Sequence, residues 1–96
     1  MYESAGLRVD LGTRTVRRDG ETVPLTPTEF GILSVLVRNA GIIVTRGTLL
    51  QNIWDDAGNF IDDNTLSVHI SRLREKIGAG AFVTIRGVGY RWEDRA

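Results

Sequence analysis

The chain has no cysteine at any of its 96 positions, which removes disulfides, thiolate metal sites and cysteine nucleophiles together. It has one histidine, His69, so no second imidazole or thiolate is available to complete a transition-metal site with it. No stretch approaches ~18 consecutive apolar residues, the length a membrane-spanning helix needs. Met1-Tyr2-Glu3-Ser4 also lacks the basic-then-apolar layout of a secretory signal, so a soluble, cytoplasmic protein with no membrane partner is expected by default. There are no internal repeats or low-complexity tracts. Net charge is missing as well, with 12 basic and 12 acidic residues in balance.

What is present describes one ordinary domain. A hydrophobic fraction of 42% and a charged fraction of 25% are those of a globular protein. Residues 1–96 suffice for a single core and leave no room for a second. The zero net charge hides an asymmetry. Residues 1–63 carry six arginines against nine acids, whereas residues 64–92 carry Arg72, Arg74, Lys76, Arg86 and Arg91 against Glu75 alone. The basic charge is concentrated in the last third, where an anionic partner would be met.

Along the chain, residues 2–25 read as about four short strands, with Asp19-Gly20 as a two-residue hairpin turn because both types tolerate positive φ. A first helix is expected over 27–38: Thr26 as N-cap, Pro27 at the first helical position, Glu29 completing a capping box, and Leu25 stapled to Phe30. Its apolar residues Phe30, Leu33, Leu36 and Val37 recur at helical spacing, and Gly41 supplies a left-handed terminator. After the extended piece Ile42-Ile43-Val44, Thr45 can cap a second helix over 46–54, followed by a polar loop over 55–62. Asp62 or Asp63 then caps a third helix over 63–77, which Gly78 ends. A hairpin over 82–92 with a Gly87-Val88-Gly89 turn closes an α+β fold.

Chemistry concentrates on the third helix. Leu66, Ile70, Leu73 and Ile77 form one narrow buried stripe, and the opposite face shows Asn64, Val68, Ser71, Arg72 and Glu75, flanked by Ser67, His69, Arg74 and Lys76. Such a face taken alone is most often a solvated helix surface. Its setting argues for more: two helices joined by a turn, the second bearing arginine and polar groups, then a basic hairpin. A helix-turn-helix lays its second helix in the major groove of a duplex. Arginine there can bond guanine O6 and N7 as a pair, a valine methyl can meet the thymine methyl, and an arginine on the hairpin can enter the adjacent minor groove.

Other classes fit less well. Asp55-Asp56 and Asp62-Asp63 could hold Mg²⁺, but they suit a loop and a helix cap better. Gly78-Ala79-Gly80 lacks the strand-to-helix setting of a phosphate-binding loop. The single histidine, His69, sits on a helix flank with no second histidine or cysteine to join it. The expectation is no enzyme, no metal and no cofactor. The competing reading is a winged-helix module that docks protein without binding DNA; it should show a contiguous apolar patch on the third helix and hairpin, where only Val68 and Val88 qualify. An RNA target lacks the aromatic stacking platform it would need on that helix.

Leu25-Thr26-Pro27-Thr28-Glu29-Phe30, the run Leu66-Ser67-Val68-His69-Ile70-Ser71-Arg72-Leu73-Arg74-Glu75-Lys76-Ile77 and Ile85-Arg86-Gly87-Val88-Gly89-Tyr90-Arg91 closely resemble the OmpR/PhoB-type response-regulator effector domains. The likeness runs from about Leu25 to Trp92, and the strand pattern ahead of it is similar to the family's leading four-stranded sheet. It implies a winged helix-turn-helix that regulates transcription, monomeric alone and dimeric on tandem DNA half-sites. It also implies a phosphorylatable receiver domain ahead of this segment in a longer chain, so Met1 need not be the natural start. By position, base contacts would fall on Asn64, Ser67, Val68, Ser71 and Arg72, backbone contacts on Trp54, Thr65, His69 and Arg74, and the minor-groove wing contact on Arg86. The loop with Asp55, Asp56, Asn59 and Phe60 resembles a segment that in some relatives touches RNA polymerase. Where relatives often carry arginine, an acid and a second basic residue, this chain has Asn64, Ser67 and Ser71, a less charged surface.

Overall fold

The computed structural model describes residues 2–4, 6–57 and 63–93, with the backbone alone for residues 2, 4, 53–57, 63 and 64. Strands β1 (Tyr2–Ser4), β2 (Leu7–Asp10), β3 (Thr15–Arg18) and β4 (Glu21–Thr22) form an antiparallel sheet in chain order. Val9 faces Val16 across the ladder, and with Leu7 they turn one side of the sheet to the core, while Arg8 and Arg17 pair on the exposed side. The expected tight turn is there: Asp19 and Gly20 take φ of 52° and 85°, the doubly left-handed geometry that returns a two-residue hairpin.

Helix α1 (Pro27–Arg38) starts where its capping signals put it. The Glu29 N–H donates to Thr26 Oγ1 at 3.1 Å, and the Thr26 N–H donates back to Glu29 Oε1 at 2.9 Å. Its far end is made by Asn39 and Ala40, whose N–H groups return to the Leu36 and Val37 carbonyls respectively, each at 3.2 Å; Gly41 is left-handed, at φ 81°, but lies two residues beyond the Asn39 cap. Residues Ile32 to Val37 are all buried, so α1 is enclosed on every side instead of offering one stripe. It packs against α2 (Arg46–Ala57), α3 (Asp63–Ile77) and β7 (Gly89–Trp92).

Strand β5 (Ile43–Thr45) lies between α1 and α2, and β6 (Phe82–Ile85) and β7 form the terminal hairpin. Two features differ from the sequence reading. The hairpin is not two-stranded: β5 adds to β7, giving the order β5-β7-β6, with Val44 opposite Tyr90 and Thr45 opposite Gly89. Helix α2 runs to Ala57, three residues past the expected stop, which takes Asp55 and Asp56 out of the loop. Acidic residues alone do not terminate a helix, and the first glycine in this stretch is Gly58. Thr45 caps α2 as expected, its Oγ1 accepting the Thr48 N–H at 3.2 Å. No helix among the described residues is long and apolar enough to cross a membrane.

Glu29 is 1% exposed, and its Oε1 also accepts from Lys76 Nζ at 2.7 Å, tying the start of α1 to the last turn of α3. Burial pushes the Glu29 carboxyl up, but the bonds from Lys76 and Thr26 and the lysine charge together hold it below its ordinary value of 4.5. A depressed carboxyl adds stability that is complete above that ordinary value and is lost as the pH falls through the folded-state value. Replacing Lys76 with methionine leaves a buried carboxylate short of its partner and is expected to cost about 1–2 kcal/mol at neutral pH. This is less than for a fully enclosed pair, because the Lys76 side chain is 36% exposed. Once Glu29 is protonated the ammonium is no longer needed, so the deficit should shrink as the pH falls below the ordinary carboxylate range. Urea unfolding of both proteins at two pH values checks this, and a difference independent of pH would refute it.

Candidate nucleic-acid interface

Helix α3 is fixed by the stripe the sequence indicates: Leu66, Ile70, Leu73 and Ile77 are each at most 4% exposed. Gly78, at φ 103°, ends it with its N–H returned to the Arg74 carbonyl at 2.9 Å. The other face carries Thr65, Ser67, Val68, Ser71, Arg72 and Glu75, all exposed and uncovered by either sheet. Val68 is 46% exposed, a large apolar side chain left in water on an otherwise polar ridge.

The basic residues of the last third do not all join that ridge. Arg72 and Arg86 are exposed and make no ion pair among the described residues. Arg74 instead lies 4.5 Å over the Phe82 ring and donates to Thr84 Oγ1 at 3.0 Å, so it braces α3 against β6. Lys76 turns inward to Glu29, and Arg91 pairs with Glu93 at 3.2 Å. The surface cation density is therefore lower than a count of basic residues implies.

His69 is half-buried with Nδ1 enclosed and without a hydrogen bond, which leaves only Nε2 to reach outward. Ser67 is met by a residue that sequence reading missed: Arg46, at the start of α2, donates through Nη2 to Ser67 Oγ at 2.8 Å and through Nη1 to the Tyr90 hydroxyl. One guanidinium thus joins α2, α3 and β7. Nothing in the local sequence marks Arg46, because its partners lie 21 and 44 residues away.

Beside α3, the hairpin turns through Arg86-Gly87-Val88, with the Val88 N–H bonded to the Ile85 carbonyl at 2.9 Å and Gly87 at φ 76°. Arg86 and Val88, the latter 46% exposed, therefore stand at an open tip. Between α3 and the hairpin runs a groove of about 610 Å³ whose lining includes Arg18, Ser67, Ser71, Arg74, Thr84 and Tyr90, with Ile70 and Ala79 adding apolar surface. The side chains of Trp54, Asp55, Asp56 and Asn64, and residues Asn59 and Phe60 altogether, lie outside the described residues.

A family profile described as "Transcriptional regulatory protein, C terminal" matches residues 20–92. The chain belongs to this family, the OmpR/PhoB type. It is 41% identical to the sensory transduction protein RegX3 of Mycobacterium tuberculosis over 98 residues, which cover 97% of this chain and 43% of that protein. The chain thus spans less than half the length of this curated relative. Among solved structures, the C-terminal domain of the nisin resistance regulator NsrR superposes with a TM-score of 0.80 at 35% identity, covering 98% of each chain. The Klebsiella pneumoniae RstA DNA-binding domain, in complex with its RstA box, gives 0.81 at 32% identity over 98% of this chain and 97% of that one. The leading sheet, most of which precedes the profile match, is covered in both superpositions, and the fold is the winged helix-turn-helix of OmpR/PhoB effector domains.

Proposed function

We propose that this chain binds duplex DNA sequence-specifically, as the effector domain of a response regulator that controls transcription. The observation that carries the reading is the bare outer ridge of α3, with Arg72 extended from it, beside a hairpin tip bearing Arg86. Membership of the OmpR/PhoB family and likeness to a domain solved on its DNA box support it. In this reading α3 enters the major groove, Arg72 bonds a guanine edge, Val68 meets a thymine methyl and Arg86 follows the minor groove. Asn64, Ser67 and Ser71 add shorter polar contacts, while Thr65, Trp54, Arg74 and the His69 edge meet phosphates. Arg74, already seated on Phe82, offers its remaining N–H groups at the groove where a phosphate strand would pass between helix and hairpin.

The rest of the reading goes with that family. More than half of RegX3 lies outside the matched segment, which leaves length for a receiver domain ahead of a segment like this one. Two copies of the domain would bind tandem half-sites about one helical turn apart, because both recognition helices must approach the same side of the duplex. The end of α2 and the segment after it would face RNA polymerase, and the location would be cytoplasmic.

Salt dependence is the direct test. Counting the basic side chains in the last third allows four or five neutralised phosphates and a log-log slope of about −3 to −5. With Lys76 and Arg91 turned to intramolecular partners, the expectation falls to about two to four phosphates and a slope of about −2 to −4. Titrating the chain against a duplex selected from a random library, across a salt series, measures it. A flat response, or no duplex enriched by selection, would refute the proposal.

A further inference from the structure

Beyond the helix-turn-helix contacts, a second set of residues converges on the end of α3 that lies farthest from its N-terminus. Arg18 leaves the last position of β3, where its partner across the ladder is buried Leu7, and passes its guanidinium to the closing turn of α3. There Nη1 donates to the Lys76 carbonyl at 3.4 Å, and Nη2 lies 3.4 Å from where a side chain at Gly78 would begin. A cation over the unsatisfied carbonyls of a helix C-terminus is in its favoured place. The side chain of the same Lys76 points the opposite way, to the buried carboxylate of Glu29 in α1. One turn of α3 is therefore held from two directions, by the leading sheet through its main chain and by the central helix through its side chain.

We propose that Arg18 is a positioning residue, which together with the Glu29–Lys76 pair sets the direction in which α3 is presented to DNA. This rests on the reading of α3 as the recognition helix. The hydrophobic stripe fixes which face of α3 is inward, but apolar contacts are non-directional and allow the axis to swing. Base readout requires side chains held within roughly 0.5 Å and 10–20° of their productive geometry. The three-residue clamp supplies directional bonds at the end of the lever, where a small displacement is transmitted along all 15 residues of α3. Neither Glu29, which is buried, nor the inward-turned Lys76 ammonium has to touch the duplex for this to work.

The experiment compares the wild-type chain with R18Q and R18K on the duplex the wild type selects from a random library and on an unselected duplex, each across a salt series. Arg18 is exposed, so its replacement leaves the core intact; because it also lines the groove beside α3, the salt slope is the readout that separates positioning from a phosphate contact. R18Q is expected to lower the ratio of selected to unselected affinity about three- to tenfold, with affinity for unselected DNA and the log-log salt slope as in the wild type. R18K, which keeps the cation, should recover most of the ratio. An unchanged ratio overturns the proposal. So does an equal loss on both duplexes, which marks only a smaller folded fraction, or a slope reduced by about one, which marks Arg18 as a phosphate contact. If the wild type selects no duplex, the DNA-binding reading itself falls and this inference with it; if the wild type selects and R18Q selects equally well, the clamp alone is refuted.

Discussion

Replacing Gly89 with alanine is expected to lower the melting temperature by roughly 15 °C, corresponding to a loss of about 3 kcal/mol or more. The cause is space, not φ. A Cβ on Gly89 would lie 2.1 Å from the Val44 carbonyl oxygen and 2.8 Å from the Thr45 Cα, both backbone atoms of β5. A side-chain neighbour could rotate away, but here a strand has to move, and with it the pairing of Thr45 to Gly89 and of Val44 to Tyr90. Val44 and Tyr90 are 5% and 4% exposed, so separating the strands also opens core surface to water. Alanine at Gly20, where nothing lies within 4 Å, is the control: it meets only the cost of its left-handed φ of 85°. Thermal unfolding followed by circular dichroism measures both. A Gly89→Ala protein melting within a degree or two of the wild type would contradict the packing described for β5 and β7.

Replacing Arg72 with alanine is expected to weaken binding to the selected duplex by about 1–3 kcal/mol, roughly 5- to 150-fold, and to relax preference at the base it reads. Its effect on unselected DNA should be several times smaller. Arg72 is suited to give a clean result because it is exposed and makes no ion pair among the described residues, so little folded-state contact is lost with it. Stability should remain within about 0.5 kcal/mol of the wild type. Equal weakening on selected and unselected duplexes would reassign Arg72 to the phosphate backbone. Arg74 makes an instructive contrast: its removal also strips a cation from the Phe82 ring and a donor from Thr84, so any binding loss there mixes contact with geometry.

Where a feature is written in adjacent residues, it could be read from the sequence. The capping box of Thr26 and Glu29, the Asp19-Gly20 turn and the four-residue stripe of α3 each depend on spacings of one to four positions, and all three occur as expected. The exposed face of α3 follows from the stripe, since a residue opposite a buried one must face out. Features that depend on distant partners were not legible. The pairing of β5 with β7 joins Ile43 to Arg91, and nothing in Ile42-Ile43-Val44 names that partner. A guanidinium can face water, a ring or a carbonyl with no change in sequence pattern, so the inward turns of Arg74 and Lys76 and the bridging by Arg46 emerged only from the packing. Acidic composition points to a loop after Trp54, yet Asp55-Asp56-Ala57 contains no residue that breaks a helix, and α2 runs on through it.

The connectivity of the two sheets also bears on the sequence in which they can assemble. The leading sheet joins each strand only to its neighbour in the chain, so every closure needed to make it is short and entropically cheap. Strand β5 pairs instead with β7 across α2, α3 and β6, a closure far longer than any in the leading sheet. The hairpin that carries Arg86 is closed locally, but its bearing relative to the rest of the molecule is set by β5 along its flank, so the aim of that tip depends on a strand that precedes it by two helices.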